Sequence, residues 1–189
     1  MAIMANMNVE EAINKRRAYR ALEKAEIEDH VLGQLVDAAR LAPSCFNNQP
    51  WNFVFVRDKD MLEEMKTVMS KGNEWTYRAS MIVAVFSRQE DDCNIKERHY
   101  FLFDAGQATA FMQLRATELG LVAHPIAGYS EKKVKDILGI PEGYTVITLI
   151  IFGKHSEHPE RLLEGDKLKV EEKRPDRRAP EEFVHLDRF

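Results

Sequence analysis

Three arginines within five residues, Arg16, Arg17 and Arg20 in RRAYR, form a dense cationic group outside the regular elements. Guanidiniums this close repel one another unless an anion or carboxylates sit between them. Taken alone, the segment reads first as a solvated basic edge and second as an anion site. Pro43 to Trp51 (PSCFNNQPW) sets two Asn and one Gln between two prolines, in a loop entering a strand. Carboxamides carry donors and acceptors together, the mixed polarity that a heterocycle edge demands. Trp51 reads as core before stacking platform. Pro125 to Gly128 (PIAG) follows a short apolar segment, and its glycine lets the backbone approach a ligand closely. Arg177 and Arg178 add charge near the C-terminus.

Other chemistries are set aside. None of the nine glycines forms GxGxxG or GxxxxGK[ST], so no resident dinucleotide fold or P-loop is expected. His155 and His158 are followed by Pro159, and no Cys or His pair completes a zinc set, so they read as surface polarity. Cys45 with a distant His lacks the local signature of a thiol nucleophile. Asp91 and Asp92 read as a solvated loop. No acid–base dyad or triad emerges.

Elements must position these segments. Asn8 followed by Glu11 predicts a capped helix running to about Lys15. Ile27, Val31, Leu35, Val36 and Ala39 predict a second helix ending near Leu41, before Pro43. NFVFVR (Asn52 to Arg57) and MIVAVFS (Met81 to Ser87) read as strands, with a helix over Met61 to Met69 between them. A long helix is expected from about Asn94 to Leu119, apolar on more than one face. Ser130 to Leu138 reads as a short helix closed by Gly139, and Thr145 to Lys154 (TVITLIIFGK) as a central strand. The pattern gives an α+β fold with a mixed or antiparallel sheet of four to five strands flanked by helices.

The 189 residues suit one domain with a real core, residues 1–189. From Arg161 onward the chain is densely charged yet carries Leu162, Leu163, Phe183, Val184 and Phe189. It reads as a frayed tail or as an arm packing on something else, and the apolar long helix favours an arm reaching a partner subunit. With 27 basic and 31 acidic residues the net charge is −4, which argues against nucleic acid as a partner. The longest strongly apolar stretch, Val146 to Phe152, is far short of the roughly 20 residues of a membrane span. No signal peptide is expected. Two cysteines, Cys45 and Cys93, are too few for a disulfide framework and suit a reducing cytoplasm.

Order and spacing together carry a resemblance. RRAYR, APSCFNNQPW, ELGL, HPIAGY, IPEGYTVITLIIFGK and RRAPEEFVH follow one another from Asn8 to Phe189 as in the FMN-dependent nitroreductase family, which the chain resembles almost end to end. The resemblance implies an α+β homodimer holding two FMN molecules at the subunit interface. On it, Arg16, Arg17 and Arg20 contact the phosphate, ribityl chain and N1/O2 side of the flavin, and Arg177 and Arg178 reach the phosphate. Ala18 falls in the same segment, where the family commonly has Ser, so one hydroxyl contact is missing. Pro43, Ser44, Cys45 and Asn47 match a loop presented to the partner's flavin. Pro125, Ile126, Ala127 and Gly128 match the segment along the isoalloxazine, with a backbone N–H near N5, and Asn73 matches a flavin-edge amide. The implied activity is NAD(P)H-dependent reduction of nitroaromatics, quinones or similar flat acceptors by a ping-pong mechanism. NADH or NADPH would dock transiently, and no catalytic side chain or metal is required. Alternatives are specialised family chemistry such as reductive dehalogenation, or a non-catalytic flavin-binding dimer.

Overall fold

The computed structural model describes residues 7–189. Helix α1 (Val9–Lys15) opens as its sequence dictates: the Asn8 side chain accepts from the Glu11 N–H at 2.9 Å, and the Asn8 N–H donates to the Glu11 carboxylate at 3.0 Å. Strand β1 (Leu22–Glu23), helix α2 (Asp29–Arg40), strand β2 (Asn52–Val56), helix α3 (Lys59–Met65) and strand β3 (Met81–Ser87) follow. A small hairpin, β4 (Asn94–Ile95) and β5 (Arg98–His99), leads into helix α4 (Tyr100–Glu118). Strand β6 (Val122–Ile126), helix α5 (Glu131–Leu138), strand β7 (Thr145–His155) and helix α6 (Gly165–Glu172) complete the order.

The main sheet has five strands, every pair antiparallel. It runs β1-β7-β3-β2, with β6 also paired to β7. Its two apolar faces follow from the period of two in a strand. Ile82, Ala84, Leu149 and Ile151 face α3 and α5 in one core, joined by Leu62, Met65 and Val134. Met81, Val83, Val85, Ile150 and Phe152 face α2 and α4 in the other, joined by Leu35, Ala39 and Met112. Small residues on α4 (Ala105, Ala108, Ala116) let that helix lie close on the sheet.

Three expectations are corrected. The long helix begins at Tyr100, because residues 94–99 turn through the β4–β5 hairpin with Lys96 at φ 58°. Only one face of α4 is buried in the chain: Leu102, Phe103 and Phe111 remain 42, 62 and 42% exposed. Strands β1 and β6 also went unread, β6 (VAHPI) because a proline argues against a central strand. Here β6 pairs with β7 alone, and an edge tolerates a residue without an N–H.

Candidate functional site

Arg16 leaves helical conformation at the end of α1, and the RRAYR segment turns irregularly into β1, with the Leu22 N–H donating to the Arg20 carbonyl at 2.9 Å. Helix α6 docks over it. The Glu171 carboxylate, 4% exposed as a residue, accepts from the Arg20 N–H at 2.7 Å and the Ala21 N–H at 3.4 Å. His155 Nε2 lies 3.2 Å from the same carboxylate, and its ring stacks on Tyr19 at 3.7 Å between centroids. Arg174 donates to the Asn14 and Arg16 carbonyls, and Arg17 to that of Val170. Part of the C-terminal stretch is thus occupied with its own chain, through residues 165–174. Beyond it, Phe183, Val184, Leu186 and Phe189 stay largely exposed.

This docking encloses a cavity of about 210 Å³ lined by Arg16, Arg17, Ala18, Arg20, His124, Val170, Arg174, Pro175 and Arg177. Burial, then the Arg174 and Arg177 cations, hold the Arg16 guanidinium below its ordinary pKa. A partly desolvated cation beside two like charges is the electrostatic signature of an anion site. Arginine forks suit a phosphate dianion, which they hold by charge-assisted bonds. The cavity is smaller than the roughly 300–1,000 Å³ typical of ligand pockets, so it fits a phosphate end and not a flat heterocycle as well.

From the cavity wall a contact chain leads to the PIAG segment. His124 Nδ1 meets the Tyr19 carbonyl at 2.9 Å, which assigns the proton to Nδ1 in the neutral ring. The His124 ring packs on Trp75 at 4.6 Å. Trp75 Nε1 donates to Asn73 Oδ1 at 3.3 Å, and Asn73 Nδ2 donates to the Gly128 carbonyl at 2.9 Å. A Cβ at Gly128 would lie 2.3 Å from Asn73 Nδ2, so the close approach that this glycine permits is made by Asn73 of the same chain.

Burial lowers the His124 pKa; the Tyr19 carbonyl opposes that and the Arg20 cation reinforces it. The unfolded chain therefore takes up this proton first, so the His124 contribution is complete above about pH 6.5 and declines below it. We expect urea-unfolding stability of the native protein to fall more steeply between about pH 6.5 and 5.5 than that of His124→Gln. Parallel pH profiles for the two would contradict the buried neutral ring.

The remaining sequence candidates lie in a second place. Pro43, Ser44, Cys45 and Asn47 form a loop whose ties run to α4 and to residues 92–93. Cys45 N donates to Asp104 Oδ2 at 2.6 Å, Gln107 donates to the Pro43 carbonyl, and Asn48 Nδ2 donates to Asp92 at 3.2 Å. Phe46, Asn47 and Gln49 adopt φ of 48°, 59° and 52°, a left-handed run that non-glycine residues hold only when their surroundings impose it. Phe46 projects outward, 89% exposed. In one chain the basic cavity and PIAG are connected, and the Pro43–Asn47 loop stands apart from them. Arg178 is not brought to the cavity; it pairs with Glu182 and lies over the Phe183 ring.

Several readings change here. Asp92 is 7% exposed and faces the Asp104 carboxyl, not solvent. Burial, and next to it the Asp92 charge, push Asp104 upward against the Cys45 N–H bond. Cys45 and Cys93 are joined in a disulfide across 48 residues, which no sequence rule pairs. His155 packs on Tyr19 and is not mere surface polarity. Glu171, Arg174, His124, Trp75 and Asp104 went unread as site residues. Only His124, beside PIAG, and Asp104, an acid on an apolar helix face, carried a sequence signal.

The chain matches the nitroreductase family over residues 13–74 and 67–154. It is 31% identical over 147 residues to an Archaeoglobus fulgidus protein provisionally named an NADH dehydrogenase/NAD(P)H nitroreductase, covering 75% of this chain and 82% of that protein. A crystal structure described as an oxidoreductase containing FMN superposes with a TM-score of 0.81 at 26% identity, over 98% of this chain and 94% of that one. Mouse iodotyrosine deiodinase 1 is 31% identical over 78 residues, 41% of this chain and 27% of that protein. The matched span runs from α1 through β7 and takes in the RRAYR turn, the Pro43–Asn47 loop and PIAG, and on it the chain belongs to the nitroreductase family.

Proposed function

We propose that the protein is an FMN-dependent NAD(P)H oxidoreductase, acting as a cytoplasmic homodimer on nitroaromatics, quinones or similar flat acceptors. The observation that carries this reading is the cavity where Arg16 is crowded by Arg174 and Arg177. The FMN phosphate is the dianion such a group lacks.

Arg16, Arg17, Arg20, Arg174 and Arg177 would hold the phosphate and ribityl end. Pro125, Ile126, Ala127 and Gly128 would lie along the ring, and Asn73 keeps one Nδ2 hydrogen for its edge. The apolar face left open on α4 and the exposed Phe183, Val184, Leu186 and Phe189 suit a second copy, whose Pro43, Ser44, Cys45 and Asn47 would complete the ring pocket. Arg178 would then serve from the partner side or not at all. When bound, FMN supplies two-electron chemistry, accepting hydride from the nicotinamide and passing electrons to the acceptor. The side chains orient and tune: a fixed guanidinium near the N1/O2 edge favours the reduced, more negative form. No proton relay is demanded of the protein. No helix among the described residues is long and apolar enough to cross a membrane.

Steady-state NADH and NADPH oxidation with a quinone tests the reading. Nicotinamide and acceptor share one ring face, so double-reciprocal plots at several acceptor concentrations are expected to be parallel. Intersecting lines would reveal a ternary complex and a separate nucleotide site. No turnover with either nucleotide would leave a flavin-binding dimer.

A further inference from the structure

We propose that Cys45, Cys93 and Asp92 form, once the disulfide between the cysteines is reduced, a binding site for a thiophilic divalent cation of the zinc class. The two sulfurs and a carboxylate oxygen of Asp92 all lie within 4.8 Å of one another. Tetrahedral zinc, with thiolates at about 2.3 Å, places its two sulfurs about 3.8 Å apart, and a carboxylate oxygen at about 2.0–2.2 Å somewhat closer to each. The three groups therefore reach a common ion by side-chain adjustment once the bond is opened.

A second observation points to a ligand. Asp92 is 93% buried (7% exposed), its Oδ2 receives no N–H or hydroxyl donor, and the carboxyl pair it makes with Asp104 calls for a shared proton or a cation. A buried carboxylate oxygen without a donor costs free energy that a cation removes. Its other oxygen is held by the Asn48 amide at 3.2 Å, and that same amide lies 3.6 Å from Cys93 Sγ. Outer contacts of this kind fix the orientation of a metal-binding carboxylate. Asp104, 1% exposed, brings a second carboxyl alongside Asp92, and itself receives the Cys45 N–H and the Gln107 amide. Asp92 and the two thiolates supply the negative charge that a dication requires. Two thiolates and one carboxylate favour zinc over the hard cations Mg²⁺ and Ca²⁺, and three protein ligands leave a fourth position for water.

The chemistry balances in two steps. A dithiol donates two electrons and two protons, breaks the S–S bond to leave two thiols and itself becomes a disulfide; a phosphine does the same with one water, which supplies the two protons and the oxygen of the phosphine oxide. The metal ion then displaces the two thiol protons and binds the thiolates. Disulfide and metal are thus alternative ties between the Pro43–Asn47 loop and the segment after β3. Both would hold the left-handed run at Phe46 and Asn47, the disulfide in oxidising and the metal in reducing surroundings.

The untagged full-length protein, carrying whatever cofactor it purifies with, is divided anaerobically. One half is reduced with a phosphine and the other left oxidised, and both are dialysed against micromolar Zn²⁺. Elemental analysis is expected to find one zinc per chain in the reduced half and background in the oxidised half. Co²⁺ in place of zinc should give thiolate charge-transfer bands in the difference spectrum. Cys93→Ser should lose the metal, and Asp92→Asn should weaken it about tenfold or more. The proposal is overturned by no uptake after reduction, by equal uptake in both halves, or by full uptake in Cys93→Ser. Unchanged affinity in Asp92→Asn would overturn the three-ligand site.

Discussion

Glu171→Ala is expected to lower the free energy of unfolding by about 3 kcal/mol and to weaken flavin binding at least about tenfold. The Glu171 side chain is 1% exposed and is the acceptor for two backbone N–H groups, those of Arg20 and Ala21. Alanine leaves these donors and His155 without their partner. A charge-assisted bond is worth about 1.5–3 kcal/mol, and a stranded buried donor costs about 1–3 kcal/mol more. Recovery of the carboxylate's own desolvation offsets part of the sum, which leaves a net loss of about 3 kcal/mol. For a chain of this length the melting temperature should drop by roughly 6–12 °C. The flavin effect follows from position: Glu171 ties α6 to the RRAYR turn, and releasing it moves Arg174 and Arg177 away from Arg16. Glu171→Gln keeps one acceptor and should lose about 1 kcal/mol. Thermal melts of the three proteins, with FMN titration of each, check this. A Glu171→Ala protein that melts within a degree or two of the parent would show that α6 does not anchor the turn.

The second large effect is expected from removing Arg174 to Phe189. The deletion takes away the Arg174 bonds to Asn14 and Arg16 and the Arg177 charge on the cavity wall. It also removes Phe183, Val184, Leu186 and Phe189, exposed by 57, 50, 84 and 104% in the single chain. A solvated tail has no need of four large apolar side chains. Each could contribute about 1.5–3 kcal/mol if fully buried against a second copy. Without the burial of two or three such side chains, a subunit equilibrium would shift by several decades. The truncated chain should elute smaller or heterogeneous by size-exclusion chromatography with light scattering, and lose flavin on dilution. A truncation that stays dimeric and retains its flavin would make this segment an ordinary frayed end.

What could be read from the residues alone depended on how local the signal was. MIVAVFS and TVITLIIFGK declare themselves as strands because each is an unbroken apolar run buried on both faces. Asn8 with Glu11 and Ser130 with Gly139 mark helix ends by contacts within one turn. Strand β1 is two residues long and exists only because β7 extends far enough to pair Leu22 with His155. No window over Leu22 and Glu23 could contain that information. The same holds at the site. RRAYR and PIAG are contiguous, so their composition speaks for them. Arg174 and Glu171 become site residues only through the fold-back of α6 across more than 150 residues. In a stretch this densely charged, neither stands out from its neighbours. Asp92 meets Asp104 because α4 and the segment after β3 converge under the Pro43–Asn47 loop, and a reader of the sequence sees two acids separated by a mixed run of charged, polar and aromatic residues.

If the arginine-lined cavity ends on the phosphate of FMN, the protein as purified must carry that flavin. The most direct measurement is the identity and amount of flavin released by acid from the full-length protein, by absorbance and chromatography against standards. One noncovalent FMN per chain is the predicted result, and Arg16→Ala should lower the affinity roughly 10- to 150-fold, the equivalent of about 1.5–3 kcal/mol. Released FAD, or a colourless protein that fails to take up added FMN, would contradict the account.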